Sequence, residues 1–147
     1  VLELGCGVAA LPSLVAAQVA EVVATDLPEI AVAAARNAAA NDLTLRSMPL
    51  SFGDLKASSA VKNSSKCGFD LLLAADVLND ARLHAVLAET LEVLGRVGGL
   101  ALLAEQNTST AKCFFEESLA AIGWTAHRLC LKEVFEALGS NATFRSN

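Results

Sequence analysis

Short apolar runs alternate with longer amphipathic stretches along the chain, a pattern typical of a parallel β-sheet covered by helices on both faces. Val1 to Leu4 predicts a first strand, and Glu21 to Thr25 predicts a second strand that ends at Asp26. Leu11 to Val19 has helical spacing between them. An alanine-rich helix is predicted from Pro28 to Ala40, because proline is tolerated in a first helical turn. This half of the chain predicts an α/β fold.

The second half contains one strongly predicted strand. Phe69 to Ala75 is apolar on both faces, which favours a central position in the sheet. The elements predicted around it are a weaker strand from Leu43 to Leu50, a polar loop from Ser51 to Cys67, a helix after Asp80 that reaches Leu94, and a chain break at Gly98-Gly99. Those that follow are a strand from Leu100 to Ala104, a helix from about Thr110 to Ile122 ended by Gly123, a strand from Trp124 to Leu131, a helical turn from Lys132 to Leu138, and a last strand beginning at Asn141 to Phe144.

Composition narrows the class of protein. A chain of 147 residues that is 54% hydrophobic is long enough for one core and too short for two, so a single domain is predicted from 1 to 147. The net charge of −5 gives no basic field for a phosphate backbone, which argues against nucleic-acid substrates. No apolar run reaches the roughly 20 residues that span a bilayer. We therefore expect neither nucleic acid nor membrane as a partner.

The four cysteines are widely spaced and have no histidine at ligand spacing, so no metal site is predicted. Reduced thiols indicate a cytoplasmic protein, with the nucleus as a further location. The chain opens on a predicted strand without a methionine. We therefore expect a fragment that lacks an N-terminal segment.

The turn after the first strand carries the candidate chemistry. Gly5 and Gly7 follow a buried strand and precede a helix, where a backbone without side chains can approach a ligand closely. Asp26 ends the next strand, 19 residues after Gly7. A carboxylate there can accept hydrogen bonds from both hydroxyls of a ribose. Together these residues predict a nucleoside-binding site.

Two classes of cofactor fit this pattern. The run Gly5-Cys6-Gly7-Val8-Ala9-Ala10 also matches the alanine-ended variant of the dinucleotide fingerprint. Glu3 favours S-adenosylmethionine, because a carboxylate repels a pyrophosphate but attracts an ammonium and a sulfonium group. A nicotinamide enzyme would also normally need a further substrate domain.

Four segments together resemble the methyltransferase-like protein-lysine methyltransferases of the seven-β-strand class. They are Val1-Leu2-Glu3-Leu4-Gly5-Cys6-Gly7, Thr25-Asp26-Leu27-Pro28-Glu29, Asn37 with Asn41, and Ala74-Ala75-Asp76-Val77, and the resemblance runs from residue 1 to about residue 124. It implies a Rossmann-like class I methyltransferase fold with a seven-stranded, mostly parallel sheet. It also implies methyl transfer from S-adenosylmethionine to a lysine of a protein substrate.

The resemblance assigns roles to individual residues. The residues that it implies for cofactor binding are Glu3, Gly5, Cys6, Gly7, Asp26, Leu27, Phe52, Gly53, Asp54 and Ala75. Among these, Glu3 and the glycines flank the methionine part, Asp26 holds the ribose, and residues 52–54 lie near the adenine. Asp76 and Asn79 are the implied catalytic residues. A lysine amine starts out protonated, so a carboxylate at Asp76 can orient it.

Two positions depart from the family pattern. Asn79 stands where the family has a tyrosine, and Ala9 stands where a further glycine is often found. A methyltransferase-like module that binds without turnover is therefore a second hypothesis, and an NAD(P)-binding oxidoreductase is a third. Structural alternatives also exist for single residues: Glu3 as an acid paired with a lysine, Asp26 as a helix-start residue, and Asp76 as the cap of the following helix.

Overall fold

Five parallel strands form one sheet in the computed structural model, which describes residues 1–130. They are β1 (Leu2–Leu4), β2 (Val23–Asp26), β3 (Arg46–Pro49), β4 (Phe69–Ala75) and β5 (Gly95–Ala104). The strand order is β3-β2-β1-β4-β5. Strands β2 and β3 extend the sheet on one side of β1, and the chain then crosses back to place β4 and β5 on the other side, so the switch point lies between β1 and β4. Open α/β sheets bind ligands outside the carboxyl ends of the strands at such a point. The predicted parallel α/β fold is confirmed, with five strands in the described part of the chain.

The helices lie on both faces of this sheet. They are α1 (Leu11–Ala16), α2 (Pro28–Ala40), α3 (Leu55–Asn63), α4 (His84–Leu94), α5 (Ser109–Cys113) and α6 (Leu119–Ala121), with a 3-10 turn at Ala81–Leu83 and a π-helical turn at Phe114–Ser118. The side chain of Glu3 reaches α1, whereas its neighbours Leu2 and Leu4 belong to the same core cluster as Leu87 of α4. Successive side chains of a strand point to opposite faces. Helices α1 and α4 are therefore on opposite sides of the sheet.

The two faces have cores of different size. The larger core combines leucines of β1, β4 and α4 with Phe114, all of them buried. The smaller core, on the α1 side, consists of Cys6, Ala10, Ala24 and Ala34. Small side chains there allow α2 to pack close to β2, which brings the start of α2 next to the loop after β1.

One helix lies where a loop was predicted. The serine-rich and lysine-rich stretch 51–67 contains α3, whose N-cap is Asp54: its side chain accepts a hydrogen bond from Ala57 N at 2.9 Å. Val61 and the small Ser58 face the interior and are buried. The loop was predicted from the polar composition, but a short helix with a cap needs only a narrow apolar side.

The predicted break at Gly98-Gly99 is also wrong, because both glycines lie inside β5. Gly98 has a φ of +75°, and a Cβ on Gly99 would lie 3.0 Å from the carbonyl oxygen of Phe69. The pairing of β4 with β5 shifts register between Phe69 and Leu71. The glycines therefore mark an irregularity within a strand and a close approach of two backbones.

The remaining differences concern the ends of elements. Helix α1 ends at Ala16 rather than Val19, and the helix from 109 to 121 is interrupted by the π-helical turn before it ends next to Gly123, as predicted. Residues 124–130 do not form a strand, and residues 125–130 are exposed. Leu131, the helical turn predicted at 132–138 and the strand predicted at 141–144 lie outside the described residues. No helix in the range 1–130 is long and apolar enough to cross a membrane.

Candidate functional site

The loop between β1 and α1 has a left-handed backbone at both predicted glycines. Gly5 has a φ of +65° and Gly7 a φ of +63°, and Ala10, the N-cap of α1, is left-handed as well. A Cβ added to Gly7 would have no atom within 4 Å, whereas one added to Gly5 would lie 2.9 Å from Cγ1 of Val77. Gly5 thus allows a close contact within the protein, and Gly7 borders open space.

Asp26 ties the end of β2 to this loop. Its Oδ2 accepts a hydrogen bond from Gly7 N at 2.7 Å, and its Oδ1 accepts one from Leu27 N at 2.7 Å. Leu27 is the N-cap of α2 and is exposed. Each carboxylate oxygen can accept a second hydrogen bond. Asp26 therefore combines a local role at the start of α2 with acceptor capacity beside the glycine loop.

Glu3 lies beneath the loop rather than on its surface. It is only 1% exposed, and its Oε2 accepts a hydrogen bond from Ser13 N at 2.8 Å. Burial raises the pKa of Glu3, the hydrogen bonds from Ser13 lower it, and the charge of Asp26 raises it further. Glu3 therefore bonds to the backbone of α1 and not to a lysine, which was the structural alternative. Its carboxylate lies beneath the glycine loop.

Cys6 has no special reactivity in this loop. The residue is buried, and its N–H donates to the carbonyl oxygen of Thr25 at 3.0 Å. Burial raises the pKa of the Cys6 thiol to about 12, and the charges of Glu3 and Asp26 act in the same direction. The thiol therefore stays protonated and serves as a small packing group.

The segment after β3 reaches the same loop. Cζ of Phe52 lies 3.7 Å from the position of a Cβ on Gly5. Gly53 N donates to Thr90 Oγ1 at 3.0 Å, and the φ of Gly53 is +81° with the side chain of Val86 directly against it. Helix α4 thus fixes this turn. Asp54 follows in the same turn, and its Oδ1 caps α3.

Asp76 follows β4 directly, after the half-buried Ala75. Its side chain is exposed, and its backbone is left-handed with a φ of +57°. Asn79 Nδ2 donates to the Asp76 carbonyl oxygen at 3.1 Å and to Oδ1 at 2.9 Å. The next helical turn is capped by Asp80. Asp76 is therefore not the helix cap that the structural alternative proposed.

One acidic residue at this edge was missed. Glu105 follows β5 directly, and its Oε1 accepts a hydrogen bond from Val77 N at 2.7 Å. Burial raises the pKa of Glu105, while hydrogen bonds from the backbone of Val77 and Leu78 lower it. The signal in the sequence was the same as for Asp26 and Asp76: an acid immediately after a strand. The carboxyl edge of the sheet thus brings together the segments that follow all five described strands.

Comparison with known protein families identifies the kind of domain. A family model described as a methyltransferase domain matches residues 1–98, which include every residue predicted for the site. No curated protein matches the chain significantly.

Proposed function

The chain belongs to the methyltransferase-domain family, and on this premise we propose that it is an S-adenosylmethionine-dependent methyltransferase that modifies a lysine of a protein. The observation that carries the proposal is that the glycine loop lies at the β1–β4 switch point, bonded to Asp26 through Gly7 and packed against Val77, the residue after Asp76, through Gly5. The protein acceptor and the reducing compartment inferred from the cysteines are predictions that rest on the sequence.

The residues of the loop suit the proposed cofactor. Open space beside Gly7 leaves room for a ligand against the backbone. The Asp26 carboxylate can accept hydrogen bonds from ribose hydroxyls in addition to its two backbone contacts. Leu27 is exposed and Phe52 half-buried, so both offer apolar surface to an adenine ring.

The acceptor side is acidic. When bound, S-adenosylmethionine would supply a methyl group activated by its sulfonium. Asp76 is exposed at the end of β4 and can accept hydrogen bonds from an ammonium group, which orients the amine before it loses its proton. The amide of Asn79 donates a hydrogen bond to the Asp76 carboxylate and so restricts its orientation. Holding amine and methyl group in line contributes most of the rate in a displacement of this kind.

Calorimetry with S-adenosylmethionine tests the cofactor. We expect binding by the protein and a loss of affinity of at least about tenfold in Asp26→Ala, because hydrogen bonds to a charged acceptor are lost. Glu117→Ala, at an exposed acid of the π-helical turn, is the control and should bind normally. Absence of binding by the unmodified protein would refute the proposal.

Transfer of a labelled methyl group tests the acceptor. Incubation with a cell extract should place the label in the protein fraction, and Asp76→Asn should reduce the transfer while leaving cofactor affinity unchanged. Label confined to small metabolites would contradict a protein acceptor.

A binding module without turnover is the second candidate function. The observation that favours it is the orientation of Asn79, whose amide donates back to Asp76 and stands where the family has a tyrosine. Such a protein would bind the cofactor weakly or not at all in calorimetry, and it would transfer no label to any fraction.

A further inference from the structure

We propose that Glu105 is a positioning residue: it holds the turn after β4, and through this turn it keeps Asp76 and Val77 in place against the glycine loop. The inference rests on the proposed function in so far as Asp76 and the loop form its site. Glu105 itself contacts backbone, so its action is indirect.

Hydrogen bonds from outside the turn hold its backbone. Asp76 has a left-handed conformation with a φ of +57°, which is unfavourable for most residues with a Cβ and is tolerated best by aspartate and asparagine. β5 and the residue after it supply acceptors for two consecutive N–H groups of the turn. Asp76 N donates to Ala104 O at 3.0 Å, and Val77 N donates to Glu105 Oε1 at 2.7 Å. The second acceptor is a side chain, and it is therefore the one that substitution can remove.

Val77 connects this turn to the cofactor loop. Its Cγ1 lies so close to Gly5 that a Cβ there would be 2.9 Å away, and Cζ of Phe52 lies 3.7 Å from the same position. Tightly packed groups transmit displacements instead of absorbing them. A turn that moves when Glu105 is absent would shift Val77 against Gly5, and would move the Asp76 carboxylate away from the acceptor.

A glutamate is well suited to this task. It is half-buried, and the backbone N–H groups of Val77 and Leu78 stabilise its charged form against the cost of burial. The charge of Asp76 raises the pKa of Glu105 further. Charge-assisted hydrogen bonds are about twice as strong as neutral ones. Glutamine keeps an acceptor oxygen at the same distance, so it should preserve part of the contact, whereas alanine removes it.

The experiment combines amide hydrogen exchange with cofactor binding in the full protein. In Glu105→Ala, we expect the Val77 amide to exchange about tenfold faster or more, since it loses a charged acceptor. The dissociation constant for S-adenosylmethionine should rise several-fold and labelled methyl transfer should fall. Glu105→Gln should lie between the unmodified protein and Glu105→Ala in all three measurements. Glu117→Ala should resemble the unmodified protein.

A double variant separates positioning from a merely structural role. At saturating S-adenosylmethionine, where weaker cofactor binding no longer limits the rate, adding Glu105→Ala to Asp76→Ala should reduce methyl transfer little further if Glu105 acts through Asp76. Multiplying effects, or unchanged Val77 exchange in Glu105→Ala, would overturn the inference. An unmodified protein that binds no cofactor would refute the proposed function instead, and exchange at Val77 would still decide whether Glu105 holds the turn.

Discussion

Gly5→Ala is the substitution whose cost the structure defines best. The φ of +65° at Gly5 would strain an alanine by about 1–2 kcal/mol, offset by about 0.4–1 kcal/mol because alanine restricts the unfolded chain. The new Cβ would also lie 2.9 Å from Cγ1 of Val77, and overpacking of this kind costs typically 1–3 kcal/mol. We expect the free energy of unfolding to fall by about 2–4 kcal/mol in total.

Gly7→Ala is the matched control for the steric part of this cost. Its φ of +63° is nearly the same, but a Cβ there has no atom within 4 Å. Urea denaturation should therefore show a loss of only about 1 kcal/mol. Because the open space beside Gly7 is where we propose the cofactor binds, this variant should lose affinity for S-adenosylmethionine out of proportion to its small loss of stability.

Val77→Ala provides the second control, because it removes the atom that the new methyl group would meet. The double variant Gly5→Ala with Val77→Ala should lose less stability than the two single variants together. The sum of the two single losses in unfolding free energy should exceed the loss of the double variant by about 1 kcal/mol or more. Equal losses in Gly5→Ala and Gly7→Ala, or additivity within about 0.5 kcal/mol, would refute the close approach of the turn after β4 to the glycine loop.

Three further predictions concern single side chains. Burial raises the pKa of Glu3 above 4.5, so the protein should lose stability relative to Glu3→Gln as the pH rises from about that value. A difference in unfolding free energy between the two proteins that is the same at every pH would contradict this. Alkylation of the native protein at pH 8, followed by peptide mass spectrometry, should label the exposed Cys67 and Cys113 and spare Cys6, whose thiol pKa is raised to about 12; labelling of Cys6 at a similar rate would refute its protection. Asp54→Ala should cost about 0.5–2 kcal/mol in urea unfolding through loss of the α3 cap, and an unchanged midpoint would show that the cap adds nothing.

The sequence predicted those parts of the site that depend on neighbouring residues. Gly5 and Gly7 lie between a buried strand and a helix, and Asp26 ends the next strand, so their relation follows from a single βαβ unit. The bounds of β4 were predicted as found, since the run from Leu71 to Ala75 is apolar on both faces and so favours a central strand. These are local patterns, and the fold leaves little freedom in how they combine.

The contacts that depend on strand register could not be predicted. Glu105 meets Val77 only because β5 pairs with β4 so that Ala75 lies opposite Ala104. That register follows a shift near Phe69, at glycines which the pattern marked as a break. The position of Phe52 likewise depends on helix α4, which holds the adjacent turn from a distant part of the chain.

The start of helix α1 supports the proposed preference for S-adenosylmethionine over a dinucleotide by its hydrogen bonding as well as by charge. Dinucleotide-binding folds present the N–H groups of a helix N-terminus to the pyrophosphate. In α1, Pro12 has no N–H, Ser13 donates to Glu3, and Leu14 donates to the backbone of the loop. Within the described chain this leaves the Leu11 N–H as the one donor of the first turn for an anion. A buried carboxylate thus occupies the helix terminus that a pyrophosphate would need, whereas the proposed S-adenosylmethionine has no pyrophosphate to bind there and carries an ammonium and a sulfonium group that a carboxylate attracts.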